Sequence, residues 1–438
     1  MRETDMRTFL RNNAVTLMFV LLCVVFTAYS GMSPAYVAFE LMSRISRNGF
    51  IVLALIIPIV AGMGINFAIS IGAMAAQIGL LWVLEWRITG IAGLAAAAAI
   101  TVPLATLFGF LAGKLLNKMK GQEMIGSMIL GFFANGVYQL LFLFVFGNII
   151  PLNTPGLVIK GSSGVANTMN LSGPAQLLYA LDGLLRIRFT LPGTAAAAGA
   201  SSQNLLLLPL LPTVYVLAAA FAGLAAFLYV KKRASVKRAA VLAGAAVLMA
   251  VAIQFPQVQA VFSMLSVPVA TFAVIAGLCV LNTVLLRTRL GQQLRAVGQN
   301  RTVANASGIN VDRTRVIAII LSTVLAGFGQ LIFLQNIGNV LTYGAHEQVG
   351  LYAGAAILVG GASIARATNA QALLGTVLFH LLFIVAPPAA NTLFGDPGIG
   401  EYFRVFVSYG VIALALVLHV WKGAKAKRTL RAAGPRNA

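Results

Sequence analysis

Residues 49–84 read GFIVLALIIPIVAGMGINFAISIGAMAAQIGLLWVL, with no Asp, Glu, Lys, Arg or His anywhere in the run. A helix crosses the hydrocarbon core of a bilayer with about 20 mostly apolar residues. The run is therefore too long for one span and too apolar to face water. It divides into two candidate spans, 49–63 and 64–84, that meet at Gly62-Met63-Gly64-Ile65-Asn66 with no room for a free loop. Two helices joined by so short a break read as a discontinuous span. Backbone freed in this way is tolerated at membrane depth only against protein or a water-filled path.

By the same ruler, further spans lie at about 14–30, 90–112, 124–146, 205–230, 239–256, 262–286, 315–335, 348–364, 368–387 and 403–421. The one at 348–364 is also short and glycine-broken. The fold class expected is an all-α polytopic membrane protein of about 10–12 transmembrane helices, with 1–438 a single transmembrane domain. Composition agrees: of 438 residues, 59% are hydrophobic and 9% charged, where a soluble domain carries about 25% charged residues. The same figures exclude disorder. The first span follows Arg2, Arg7 and Arg11, but its long apolar run and the poor cleavage site at Tyr29-Ser30-Gly31-Met32 read as an uncleaved helix. Cys23 and Cys279 sit in apolar runs and suggest neither a disulfide framework nor a zinc site.

The chain carries 31 Lys and Arg against 10 Asp and Glu, a net charge of +21. In a soluble protein this excess would point to nucleic acid. Sorted by side, with the termini placed inside, 24 basic residues fall on inside segments and 7 on outside ones. Such a split is the positive-inside pattern of a membrane protein with cytoplasmic N- and C-termini. The excess is topological, and no nucleic-acid partner is expected.

The longest outside loop covers 147–204 and is rich in Gly, Ser, Asn and Pro. Leu177, Leu178, Leu181, Leu184 and Leu185 repeat there at helical spacing, which predicts a short amphipathic helix at the membrane surface. No catalytic constellation is visible. His346, His380 and His419 have no metal-ligand spacing with one another or with a carboxylate cluster, so neither catalytic nor metal residues are expected. The segment from Gly109 to Lys114 has the wrong glycine spacing for a phosphate-binding loop, and Leu115 stands where a Mg²⁺-binding hydroxyl belongs. The ten acids all fall at span ends or in loops, which weighs against ion coupling through a buried carboxylate. A polytopic protein with no energy source of its own needs one from a partner.

One inside loop carries the most information: 287–314, with six arginines from Arg287 to Arg315 around it. Leu290, Leu294 and Val297 share a face of a short helix; Gly298 can stop it, Thr302 can cap a second, and Gly308 can end that one. Two short helices rich in small residues make a compact knob suited to a partner's groove. The run from Gly291 through Leu294, Arg295, Ala296 and Gly298 to Asn300, followed by Ala304, Gly308 and Ile309, resembles the signature of permease subunits of ATP-binding-cassette importers. The subgroup is the branched-chain amino acid, ribose and nucleoside type. Asn305 stands where that signature usually has a second alanine. The segment from Gly64 to Gly79 is similar to the family's glycine-rich path-lining element, and Gly350 to Ala362 resembles its later glycine-rich element. Gln122-Glu123-Met124-Ile125 looks like the corresponding segment of the nucleoside branch.

The resemblance implies two related halves around a central path, a second homologous or identical permease, and ATPase subunits that bind ATP and Mg and dock on 287–314. It also implies an extracytoplasmic solute-binding protein and a place in a bacterial cytoplasmic membrane. No cofactor is expected in this chain. The groups expected along the substrate path are Asn66, Phe67, Ser70, Gln77, Phe133, Asn135, Tyr138, Gln139 and Gln330. Neutral amides and hydroxyls with stacking rings suit a nucleoside or related heterocycle such as a flavin. A monosaccharide is the alternative within the class, and an ion-coupled secondary transporter the alternative outside it.

Overall fold

The structure is a computed structural model, described for residues 13–158, 164–184, 186–190, 205–230, 236–256, 258–259, 266–396, 398–406, 409–410, 413 and 417. Two compact units emerge, one of residues 1–31, 44–181 and 273–438, the other of residues 32–43 and 182–272.

Helices dominate throughout. In the first half of the chain these are α1 (Ala14–Tyr29), α2 (Pro34–Ala54), α3 (Ile56–Val60), α4 (Ser70–Glu85), α5 (Gly90–Lys118) and α6 (Glu123–Leu140). A 3₁₀ turn, Phe67–Ile69, leads into α4, and a π-turn, Leu141–Val145, extends α6. The break anticipated at 62–66 is present: residues 61–66 leave the helix, and the Asn66 side chain caps the re-entry by accepting the Ala68 N–H at 3.1 Å. In the second half come α7 (Leu210–Val230), α8 (Val236–Ala252), α9 (Val269–Leu285), α10 (Arg289–Gln299), α11 (Arg301–Ala306), α12 (Val311–Ile337), α13 (Val349–Val359) and α14 (Asn369–Phe394). Asn310 caps the start of α12 by accepting the Arg313 N–H at 2.9 Å, and Gly338 closes its far end with φ +82°.

Among the described residues, six helical stretches are long and apolar enough to cross a membrane: Pro34–Val60, Phe67–Glu85, Gly90–Lys118, Glu123–Val145, Val311–Ile337 and Asn369–Phe394. Val269–Leu285 followed by Arg289–Gln299 forms a further candidate bent by 75°, and Ala14–Tyr29, Leu211–Phe227 and Val349–Val359 are shorter apolar helices. The protein is an all-α, multi-pass membrane protein.

In the first unit α12 is the central element and packs along α4 and α5, while α14 lies against α1 and α13. At the end of the bundle holding Glu85 and the C-terminus of α12, β1 (Thr168–Asn170) pairs antiparallel with β5 (Asn339–Leu341), Met169 opposite Val340. The second unit holds α7 against α8 and a small sheet ordered β3 (Leu205–Pro209), β2 (Arg186–Thr190), β4 (Ser266–Pro268). There Asp182 is fully buried and its Oδ1 accepts from the Thr271 hydroxyl at 2.6 Å.

The structure departs from the sequence expectations in three places. α2 begins at Pro34, well before residue 49, because proline suits a helix start and the helix carries Arg44 and Arg47 within it. Residues 205–209 are strand rather than the start of a span. Beyond residue 406 most of the span expected at 403–421 lies outside the described residues, as do both termini. The amphipathic helix expected over Leu177–Leu185 is not formed: the chain makes turns over 178–181 and a 3₁₀ turn over Asp182–Leu184, and residue 185 lies outside the described residues. Gln176 and Tyr179 adopt φ of 50° and 53°, which no helix accommodates. Leu177 is fully buried, and the Tyr179 N–H donates to the Gln335 carbonyl at 2.8 Å. Leu177, Leu178 and Leu181 fold down onto the end of α12.

Candidate functional site

The polar groups expected along a path form two clusters, and one side chain stands apart from both. Asn66, Phe67 and Ser70 are buried at the start of α4. The Phe67 N–H, which no helix partner can satisfy there, donates to the Ser127 hydroxyl of α6 at 3.0 Å. The backbone of Phe67 meets α13 so closely that a Cβ on Gly350 would collide with the Phe67 carbonyl. The two glycine-broken segments are therefore packed against each other.

The second cluster centres on His346, a residue with no motif to announce it. After β5 the chain turns through 342–348 and places the His346 ring, fully buried, between α4 and α6. Its Nδ1 lies 2.8 Å from the Gln77 side-chain amide, and its Nε2 lies 2.8 Å from Asn135 Oδ1. Asn135 Nδ2 in turn donates to Glu347 Oε1 at 3.1 Å, and Gln139 Nε2 donates to Asn135 Oδ1 at 3.5 Å. Tyr138 stacks its ring 4.4 Å from the imidazole and donates its hydroxyl to the Thr342 carbonyl at 2.9 Å. From α12, Gln330 Nε2 donates to the Ala345 carbonyl at 3.1 Å. Four of the expected path groups from α4 and α6, with Gln330 from α12, thus converge on one loop.

Burial pushes the His346 imidazole down to about 4, so the ring is neutral near pH 7 and carries one N–H. Asn135 is held with its oxygen toward the ring by its bond to Glu347, which puts the proton on Nε2. Nδ1 then accepts, which requires the Gln77 amide to turn its nitrogen to the ring. That orientation also gives a partner to the Gln77 nitrogen, which is otherwise unsatisfied. The loop is anchored on its other side as well. Thr342 Oγ1 donates to the Ala166 carbonyl at 2.6 Å, and the Tyr343 hydroxyl, its pKa raised by burial, donates to the Val165 carbonyl at 2.7 Å.

Beside this loop lies a cleft of about 430 Å³, lined among others by Asn48, Phe333, Asn339, Ala345, Gln348 and Tyr352. Ala345 is shared between cleft wall and polar cluster. Phe133 has no part in either: it is 68% exposed on the outer face of α6, against an apolar groove between α4, α5 and α6. It is expected on the path as a stacking ring, but five residues from Tyr138 on α6 the helix rotation points it away from the buried face. Glu347 joined the cluster without a sequence signal, because a carboxylate in a short polar turn reads as solvated.

At the opposite end of the bundle the loop at 287–314 folds into α10 and α11, which turn away from α9. Thr288 caps α10 by accepting the Gly291 N–H at 3.3 Å. Gly291, Leu294 and Val297 form its buried face, Ala296 is half-buried beside Val297, and Arg295 lies on its outer side. Gly298 does not stop the helix, and Thr302 does not cap the next; Asn300 does, accepting from the Thr302 and Val303 N–H groups at 3.0 and 3.1 Å. Ala304 is buried with Val297 and Val311, Ile309 packs beside them, and Gly308 turns the chain at φ +79°. Gly298 serves a different need. Its backbone abuts the break of the discontinuous span, where a Cβ on Gly62 would stand 2.7 Å from the Gly298 Cα. Arg301 bridges the same gap, donating from Nη2 to the Gly62 carbonyl at 3.1 Å and to Glu123 Oε1 at 2.7 Å.

These features define a class: a polytopic membrane protein whose broken helices surround a buried polar cluster and whose surface loop touches one of the breaks. Residues 193–416 match the model of a family described as branched-chain amino acid transport system / permease component, and the chain belongs to that family. It is 32% identical over 140 residues to the nucleoside ABC transporter permease protein NupC of Lactococcus lactis, covering 31% of this chain and 41% of that protein. It is 30% identical over 132 residues to the ribose import permease protein RbsC of Escherichia coli, covering 30% and 39%. To the galactose/methyl galactoside import permease protein MglC of Haemophilus influenzae it is 28% identical over 141 residues, covering 32% and 40%. The matches thus span less than half the length of these curated relatives. No solved structure matches the chain.

Proposed function

We propose that the chain is the transmembrane permease subunit of an ATP-binding-cassette importer and moves a neutral polar solute, a nucleoside or related heterocycle such as a flavin. In this reading partner ATPases, which bind ATP and Mg, dock on α10 and α11. A second permease, identical or homologous, completes the path, and an extracytoplasmic binding protein delivers the solute. The chain then sits in a bacterial cytoplasmic membrane with both termini inside, the side its basic residues favour.

The observation that carries this reading is the backbone contact between Gly298 and Gly62. It joins the surface loop to the break that leads into α4, and α4 carries Gln77 to the polar cluster. Movement imposed on the loop by ATP-driven closure then reaches residues that line the bundle interior. The neutral character of Gln77, Asn135, Tyr138, Gln330 and His346 supports an uncharged solute. Similarity to ribose and galactose permeases favours a second reading, a monosaccharide, whose hydroxyls would use the same donors and acceptors.

The test is reconstitution of the chain with its neighbouring ATPase, permease and binding protein in proteoliposomes. ATP-driven uptake is then measured for nucleosides, riboflavin, ribose and galactose. Uptake of a nucleoside or flavin supports the first reading and uptake of a sugar the second. Solute movement driven by an ion gradient without ATP would refute both.

A further inference from the structure

We propose that Glu123 is a positioning residue that clamps the ATPase-coupling loop to the discontinuous span; the assignment rests on the transport reading above. Its carboxylate lies at a meeting of three elements. Oε2 accepts the Gly121 N–H at 2.9 Å, which fixes the carboxylate at the turn before α6. Oε1 receives Arg301 of α11 at 2.7 Å and also pairs with Arg315 of α12. Arg301 divides its Nη2 between this carboxylate and the Gly62 carbonyl. Coupling helix, central helix and broken span are thereby held through one side chain.

The start of α6 holds the far side of the break too. Ser127, one helical turn beyond Glu123, donates to the Met124 carbonyl and accepts the Phe67 N–H at 3.0 Å. The break at 61–66 is gripped at Gly62 through Glu123 and Arg301, and at Phe67 through Ser127. A push on α10 and α11 therefore cannot move Gly298 alone. It carries Gly62 by backbone contact and α6 by the ion cluster.

The charges explain why glutamate is needed at this position. Two guanidinium groups share one carboxylate, so the cluster carries a net positive charge. The Arg315 side chain is fully buried, and its Nε and Nη1 have no hydrogen-bond partner. Neutralising Glu123 leaves two like charges facing each other at low dielectric, which is far more costly than at the surface. Arg315 cannot leave, whereas Arg301, about a third exposed, can swing out. The coupling loop then loses its hold on Gly62 while α10 remains folded on its own apolar face.

The test uses the full importer complex with Glu123→Gln, Glu123→Asp and Arg301→Gln, scoring solute imported per ATP hydrolysed. Because residues along a coupling chain modulate it without touching either ligand, Glu123→Gln and Arg301→Gln are expected to lower that ratio about ten-fold with KM for solute unchanged. Glu123→Asp, which keeps the charge, should recover most of the loss. Ratios within about two-fold of wild type for both neutral variants would overturn the clamp. A second measurement uses spin labels at Val303 and Ile125, both exposed, in the isolated permease. The distance distribution should be narrow in wild type and broad in Glu123→Gln, and an unchanged distribution would also overturn the clamp. If the wild-type complex imports nothing with ATP, the transport reading fails; the label distances then decide the clamp by themselves.

Discussion

The contact between α10 and the broken span can be tested at a single hydrogen atom. In Gly298→Ala the new Cβ would overlap the Val60 carbonyl oxygen and lie 3.1 Å from the Gly62 nitrogen. Both neighbours are backbone, so neither can rotate aside, and α10 has to withdraw. Overpacking of this kind costs about 1–3 kcal/mol. Alanine in a helix interior returns about 0.5–1 kcal/mol relative to glycine. The net destabilisation of the docked loop is therefore centred on about 1.25 kcal/mol and at most about 2.5 kcal/mol, so the central value is roughly eight-fold in the population that keeps contact, at 1.36 kcal/mol per decade. The matched control is Gly277→Ala in α9, where a Cβ meets nothing within 4 Å and only the helix gain remains. Thermal unfolding in detergent should separate the two variants in opposite directions from wild type. In the reconstituted complex, uptake per ATP should fall for Gly298→Ala alone. A Gly298→Ala protein as stable as Gly277→Ala, with wild-type uptake, would refute the contact and the route of coupling built on it.

Other expectations follow from single side chains. His346→Leu removes both ring hydrogen bonds and leaves the buried Gln77 amide unpaired, while Asn135 keeps Glu347 and Gln139; the loss of about 1–3 kcal/mol for a buried group left without a partner should be visible as a lower Tm. Because the folded pKa of His346 is depressed to about 4 from 6.5, its contribution is intact above the unfolded value. It is lost as pH falls from about 6.5 towards 4, and His346→Leu should flatten that part of the stability profile. Ser127→Ala leaves the Phe67 N–H without a partner, and should raise hydrogen exchange at 67–69 by about five-fold or more while exchange in α12 stays as it was. Phe133→Ala should leave the stability of the isolated chain, measured by thermal unfolding, within about 0.5 kcal/mol of wild type, as for other exposed positions, although it sits five residues from Tyr138; a large loss would place Phe133 in the core after all.

What could be read from sequence, and what could not, divides along physical lines. The apolar run 49–84 announced both a membrane protein and a break, because hydrophobic length and glycine spacing are local properties. The two short helices at 289–306 were legible for the same reason, with alternating apolar positions and polar caps within a few residues. Their caps were not all assigned correctly: Asn300 outcompeted Thr302 because its side chain reaches two N–H groups at once. Leu177–Leu185 carried a helical period that tertiary packing overrode, since burying Leu177 against α12 was worth more than a helix with Gly183 inside it. His346 was invisible as a site residue. Its partners Gln77 and Asn135 lie 269 and 211 residues away, and a polar turn after a span has no periodicity that would point inward.

The position of that turn bears on how the two ends of the bundle communicate. Residues 342–347 are held from one side by Gln77, Asn135, Tyr138 and Gln330, and from the other by Val165 and Ala166, next to the β1–β5 pair. Segment 165–170 and the buried polar cluster therefore share one loop. Gln77 stands on α4, whose entry at 61–67 is gripped by Gly298 and by the start of α6. A rigid α4 links these two grips, because its start packs against α13 and its length against α5 and α12. Displacement at either end changes the strain at the other through a single helix. Under the transport reading proposed above, α4 is at once the helix that meets the loop bonded to Val165 and Ala166 and the helix that the loop at 287–314 can move, with the polar groups of Gln77, Asn135 and Gln330 between them.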